Sequence, residues 1–228
     1  MKSLRITRQL LWANRWLWLL LVVWPWGMAA ILLVGGLHPA PEDVKAALQQ
    51  QSIYGLALVA FAGGALLGNE QRSRRIVLVL SRAVSRRQYL GALWLTAFLP
   101  LLFYVLDLAL TGPVLGASAL VVWQTLGALL LLSLTASSLA VLASLVLPGV
   151  IAGVLSLAVL SLPLLLPLGW QIAQTRLLQI LLSGPVTEHT RLVFGAGFLE
   201  ALVLSGAIFE AAVRIFEQRD HGSTDFVF

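Results

Sequence analysis

Residues 117–168, ASALVVWQTLGALLLLSLTASSLAVLASLVLPGVIAGVLSLAVLSLPLLLPL, contain no Asp, Glu, Lys or Arg. A helix rises about 1.5 Å per residue, so about 20 apolar residues cross a hydrocarbon core of about 30 Å. The stretch is long enough for two crossings, and Leu147-Pro148-Gly149 supplies a tight turn between them. The rest of the chain has the same character. Of 228 residues, 59% are hydrophobic and 11% charged, whereas a soluble domain carries about 25% charged residues. Such a composition cannot cover a water-facing surface. It predicts an all-α polytopic membrane protein with little mass outside the bilayer.

Working outward from this stretch gives six predicted spans, at about 16–37, 53–68, 89–111, 117–146, 150–168 and 192–216. The positions of Lys and Arg orient them. Lys2, Arg5, Arg8 and Arg15 precede the first span. Arg72, Arg74, Arg75, Arg82, Arg86 and Arg87 lie between the second and third, and Arg214 and Arg219 close the sixth. Only Lys45, Arg176 and Arg191 fall on the other side, which predicts that both termini and the 69–88 loop are cytoplasmic. The net charge of +5 is therefore a topology signal rather than a nucleic-acid footprint. Residues 1–15 intersperse Leu4, Ile6, Leu10 and Leu11 with Arg5, Arg8 and Arg15, the pattern of an amphipathic interfacial helix. The first span is too long for the apolar region of a signal peptide and lacks a small-residue cleavage site.

The loop between the second and third spans carries an apolar patch, Ile76 to Leu80, between two arginine clusters. A patch too short to cross, held at the membrane face by cations, fits a short helix docking into a partner's groove. A plain positive-inside loop is the alternative. The run LSRAVSRRQYLG at 80–91, with Glu70 upstream, resembles the loop after the second span of type-2 permeases of ATP-binding-cassette exporters. Glu70, Leu80, Ser81, Val84, Ser85, Arg86 and Gly91 match that pattern, while Arg74, Ala83 and Ala92 depart from it. The six-span layout with its N-terminal interfacial helix agrees over nearly the whole chain. The resemblance implies a coupling helix here, with contact to an ATPase through Glu70, Arg72, Arg74, Arg75, Leu78, Leu80, Ser81, Arg82, Ser85, Arg86 and Arg87.

Residues 169–191, GWQIAQTRLLQILLSGPVTEHTR, hold an apolar run too short to cross, broken at Ser183-Gly184-Pro185. A pair of re-entrant half-helices between the fifth and sixth spans fits, as does a helix lying on the membrane. The resembling exporters have such half-helices on their outer side. Three carboxylates, Asp107, Glu200 and Glu210, fall at membrane depth, where a charge is costly and usually faces the interior, pairs, or marks a pathway. Glu210 precedes Arg214 by four residues, the favourable order for an ion pair on one helix. Asp107 and Glu200 have no partner nearby in sequence, so each is expected to be protonated or to bond a Ser, Thr or Trp on another helix. Ser133, Thr135, Ser137, Ser138, Ser144, Gly153 and Ser156 predict close helix packing, with a polar pathway lining as the alternative.

A P-loop needs a Lys after a Gly-rich run. Lys2 and Lys45 are the only lysines, and neither follows one. The absence of Cys removes thiolate metal sites and thiol nucleophiles. No span contains a His for a protease-like pair, and the membrane acids are single rather than clustered, so an intramembrane enzyme is not expected. The expectation is a permease subunit without a cofactor of its own, in the bacterial inner membrane. It would work as a dimer with a second or homologous permease and with an ATPase that binds ATP and magnesium. The expected cargo is hydrophobic or amphiphilic. The alternatives are a haem-exporter-type permease of cytochrome c maturation, with His38, His189 and His221 as contacts, and a non-transporting membrane scaffold.

Overall fold

The computed structural model describes residues 15–35, 40–72, 85–165, 173–183 and 190–218, with side chains from 23–35, 40–66, 85–165, 173–183 and 192–218. The 1–15 interfacial helix and residues 73–84 of the predicted coupling loop lie outside the described residues, apart from Arg15 itself. Among the described residues there is no strand, and seven α-helices carry the fold. They are α1 (Arg15–Gly35), α2 (Pro41–Arg72), α3 (Arg86–Val114), α4 (Ala119–Ser144), α5 (Gly149–Ser161), α6 (Ala173–Ser183) and α7 (Thr190–Gln218). Among the described residues, α3, α4 and α7 are long and apolar enough to cross a membrane.

α4 is the axis of the bundle. It is the most buried of these three helices, and α2, α3, α5, α6 and α7 all pack against it. α1 lies outside, against α3. α2 and α3 are antiparallel. Gly63 approaches Ala97, Gly55 lies under the Tyr104 ring, and Leu48 meets Gly112. A Cβ at Gly55 would fall 2.7 Å from Tyr104 Cε1, so only glycine admits the ring. α2 and α5 meet backbone to backbone. A Cβ at Gly149 would lie 2.7 Å from the Gly64 carbonyl oxygen, and one at Gly153 would lie 2.6 Å from Phe61 Cδ1. Gly149 and Gly153 form a GxxxG pair, the spacing that lets two helix backbones touch.

The turn from α3 to α4 follows from its residues. Gly116 takes φ of +88°, its N–H bonds the Pro113 carbonyl, and the Ala117 N–H bonds the Gly112 carbonyl. This is a Schellman stop, which needs a residue able to adopt positive φ. Ser118 then caps α4, accepting from the Val121 N–H.

Several predicted boundaries shift. α2 begins at Pro41 rather than 53, because Glu42 and Asp43 in its first turn complement the helix dipole. Its far end continues through Arg72, and α3 starts at Arg86 on a Ser85 cap. The predicted 69–88 loop therefore gives up residues to both helices. α5 is shorter than the predicted 150–168. Its α-helix ends at Ser161 and tightens into a 3-10 turn, Leu162–Leu165, where Pro163 supplies no N–H. Of the expected half-helix pair, α6 is described. Leu177, Leu178, Ile180 and Leu181 on it are buried against the bundle, while Arg176, Leu182 and Ser183 are exposed, so one face of it is packed and the other is open.

Candidate functional site

Two polar regions stand out from the apolar packing. The first is the basic end of the bundle, where the start of α3 meets the close of α7. Here a separate hydrophobic cluster joins Leu66, Tyr89, Leu90, Leu93, Val141, Leu145, Ala212 and Val213. Ser85 caps α3 by accepting from the Gln88 N–H at 3.2 Å. The next two residues reach across to α7. Arg86 Nη1 donates to the Glu217 carbonyl at 2.9 Å and approaches the Phe216 carbonyl at 3.5 Å, while its guanidinium lies 5.9 Å from the Phe216 ring centroid. The last carbonyls of a helix have no partner within it and carry partial negative charge. Arg86 bonds two of them, those of Phe216 and Glu217, at the C-terminus of α7. Arg87 Nη2 lies 3.2 Å from Glu210 Oε2, and Arg214 Nε lies 3.6 Å from Glu210 Oε1.

Glu210 thus pairs with Arg214 one turn on, as its spacing predicts, and also with Arg87 on another helix. That second bond could not be read from the spacing along one helix. The backbone of Glu70 and Arg72 belongs to the last turns of α2. Arg74, Arg75, Leu78, Leu80, Ser81 and Arg82 lie outside the described residues. Of the eleven predicted coupling residues, the structure brings Ser85, Arg86 and Arg87 together at α3's first turn.

The second region is the interior. Asp107 on α3 is bonded by the Trp26 side chain of α1. Glu200 on α7 accepts from the backbone N–H of Gln174 at 3.1 Å, within the first turn of α6. That N–H is one of the four a helix leaves unpaired at its start, and the dipole there favours a carboxylate. Gln174 Oε1 in turn accepts from Thr135 Oγ1 of α4 at 3.4 Å. Glu200, Gln174 and Thr135 therefore tie α7, α6 and α4 together. Asp107 therefore bonds a tryptophan on another helix, whereas Glu200 takes a backbone N–H rather than a side chain, and the two carboxylates belong to different seams.

The small hydroxyls mostly turn inward on their own helices. Ser137 and Ser138 both bond the Leu134 carbonyl, Ser144 that of Val141, and Ser156 that of Gly153. Such back-bonding satisfies a hydroxyl inside an apolar bundle and leaves the helix thin enough for close approach. Ser138 Oγ also receives the Trp94 indole N–H at 3.1 Å, and Trp94 stacks on Phe98 with ring centroids 5.5 Å apart.

Sequence reasoning missed Gln51 and Tyr104. The Tyr104 hydroxyl sits 2.7 Å from the Gln51 carbonyl oxygen and 2.8 Å from Gln51 Oε1. Gln51 belongs to a polar Gln49-Gln50-Gln51 run that reads as loop. The signal available was Glu42-Asp43 ahead of it, which marks a helix start. Among the described residues, no three His, Asp or Glu side chains converge as a metal site. Family models, curated proteins and solved structures give no match to this chain.

Proposed function

We propose that the chain is the transmembrane permease subunit of an ATP-driven exporter in the bacterial inner membrane, acting as a pair with a separate cytoplasmic ATPase. α1, α2 and α5 join α3, α4 and α7 as six crossings, with the basic end and both termini in the cytoplasm. Supporting this reading are the arginine-rich segment between α2 and α3 and the resemblance of residues 80–91 to a coupling loop.

The observation that carries it is the junction at α3's first turn. A segment that feels an ATPase must pass its displacement to the helices. This one runs directly into Ser85, Arg86 and Arg87, and the two arginines are bonded to the end of α7. An exposed ion pair alone is worth at most about 1 kcal/mol. Here it is joined by a bonded helix terminus and a shared apolar cluster, so α3 and α7 move together. At the other edge of the segment, α2 carries α5 with it through the Gly64–Gly149 contact. Nucleotide-driven closure of two ATPases pulls on both pairs and opens the path between permease copies. The apolar outer faces of the helices favour a hydrophobic or amphiphilic cargo.

The full chain is extracted gently into nanodiscs beside an Arg74→Glu/Arg75→Glu/Arg82→Glu variant. The wild type is expected to co-purify with an ATP-hydrolysing subunit, and the variant is expected to lose it. A further variant, Arg87→Glu, keeps the subunit bound but loses cargo-dependent ATP turnover, and adding Glu210→Arg restores it. If the wild type holds no ATPase, the exporter reading falls and a scaffold takes its place.

A further inference from the structure

Two helices bring unmatched polar atoms to one level of the bundle, and a third brings a tryptophan beside them. Trp26 lies nine residues before the end of α1, Gln51 ten after the start of α2, and Asp107 seven before the end of α3. At 1.5 Å per residue these positions are about 14, 15 and 10 Å from the helix ends opposite the basic end. The antiparallel pairing of α2 with α3 makes those ends neighbours, and the Trp26–Asp107 bond places α1 beside them.

At this level Asp107 Oδ2 and Gln51 Nε2 are both buried and have no hydrogen-bond partner among the described residues. One is an acceptor and the other a donor. Tyr104 holds Gln51 against α3, one helical turn from Asp107. A buried polar atom left unmatched costs about 1–3 kcal/mol. Two of opposite kind on one seam are matched together by a group that both donates and accepts. The surroundings say what carries that group. Trp24, Trp26 and Tyr54 stand at 43%, 45% and 40% exposure, and Trp24 meets Tyr54 edge-on with ring centroids 6.2 Å apart. Phe103 and Leu106, beside Tyr104 and Asp107, are exposed on the outer face of α3. Aromatic rings with one polar edge suit the depth where headgroups meet acyl chains.

We propose that the α1–α2–α3 seam binds the head of an amphiphile entering sideways from the leaflet opposite the basic end. An ammonium or hydroxyl on the head donates to Asp107, and a phosphate or ester oxygen accepts from the Gln51 amide. An ammonium gains most, because its bond to a carboxylate is charge-assisted. The inference needs lipid contact at this face but not the ATPase, so it can fail while ATPase co-purification succeeds, and the reverse.

The probe is phosphatidylethanolamine, whose ammonium has N–H donors, against phosphatidylcholine, whose head has none. The full chain is released from mixed nanodiscs and its retained lipids are counted by native mass spectrometry. Wild type is expected to retain the ethanolamine lipid about tenfold over the choline lipid, the ratio that one charge-assisted bond supports. Asp107→Asn is expected to erase most of that preference, and Gln51→Met to lower retention of both lipids roughly fivefold while leaving their ratio, each variant melting near the wild-type temperature. Should Asp107→Asn fail to fold, the fall in retention of both lipids by Gln51→Met tests the same seam through its other contact. Equal retention of both lipids by wild type, an undiminished preference in a folded Asp107→Asn chain, or undiminished lipid retention by a folded Gln51→Met chain overturns the proposal and leaves the two atoms to water. Competition with dodecylamine separates the sources: displacement of the lipid marks a site open to free amphiphiles, and persistence of the lipid marks a resident lipid.

Discussion

Glycine decides where this bundle is tight. A Cβ at Gly64 would collide with the Gly149 carbonyl, and one at Gly149 would sit 2.8 Å from Ala65 Cα. Both obstacles are backbone, which no rotamer change can clear. Among the described residues, nothing lies within 4 Å of the position a Cβ would take at Gly206. The same substitution should therefore have opposite signs at two sites. Gly64→Ala forces α2 and α5 apart and is expected to destabilise by about 1–3 kcal/mol, the usual cost of overpacking. Gly206→Ala relieves a flexible helical position and should be neutral or stabilise by up to about 1 kcal/mol. Thermal unfolding of both variants in one detergent tests the difference, and a Gly64→Ala chain as stable as wild type would disprove the close α2–α5 contact.

The elements themselves divide into those that sequence makes legible and those that it does not. α4 follows from its uninterrupted apolar run, and the α3–α4 stop follows from Thr111-Gly112-Pro113 and Gly116. α2 was harder. Gln49, Gln50 and Gln51 interrupt the apolar pattern, yet a hydrogen bond from a tyrosine on α3 makes Gln51 a buried residue. Periodicity cannot report a bond to a distant helix. The same holds for α6, whose residues fit a buried or a surface helix equally well on composition. What distinguishes them is the Glu200 carboxylate, which lies 26 residues further along the chain and receives the Gln174 N–H. α6 is only 11 residues long, below the length at which an isolated helix is stable in water. It should depend on that carboxylate. Glu200→Leu removes both acceptor and charge and is expected to weaken the helix by about 1 kcal/mol. Glu200→Gln keeps an acceptor and should cost less. Amide hydrogen exchange reads this directly, with Ala173–Ser183 opening roughly fivefold faster in Glu200→Leu while α4 is unchanged. Equal protection of α6 in both variants and wild type would show that packing of Leu177 and Leu181 alone holds it.

Viewed as a whole, the molecule wears its hydrophobicity on both sides. Leu132 and Leu129 are sealed inside α4's contacts, yet Leu106 and Leu110 of α3, Val150 and Val154 of α5, and Leu199 and Val203 of α7 all face outward. No aqueous monomer keeps so continuous an apolar exterior. Surrounded by acyl chains, the same surface carries no penalty, and the balance of forces reverses. Packing between helices then rests on close contact and on the polar ties of Glu200, Asp107 and Gln51, because leucine meets lipid as readily as it meets leucine. A charge should consequently be least tolerated where apolar residues are most exposed, opposite to the rule for soluble proteins. Val203 is 69% exposed and lies near the middle of α7, about 20 Å from its first residue. Val203→Arg is expected to cost about 2.5–3.5 kcal/mol of insertion free energy and to deplete the chain from the membrane fraction. Gln88→Arg, equally a surface change but in the first turn of α3 beside Arg86 and Arg87, should insert and melt like wild type. Quantifying both variants in membranes and in the soluble fraction decides the matter. If Val203→Arg accumulates normally, the outward face of α7 meets water or another protein chain rather than lipid, and the proposed six crossings have to be redrawn around it.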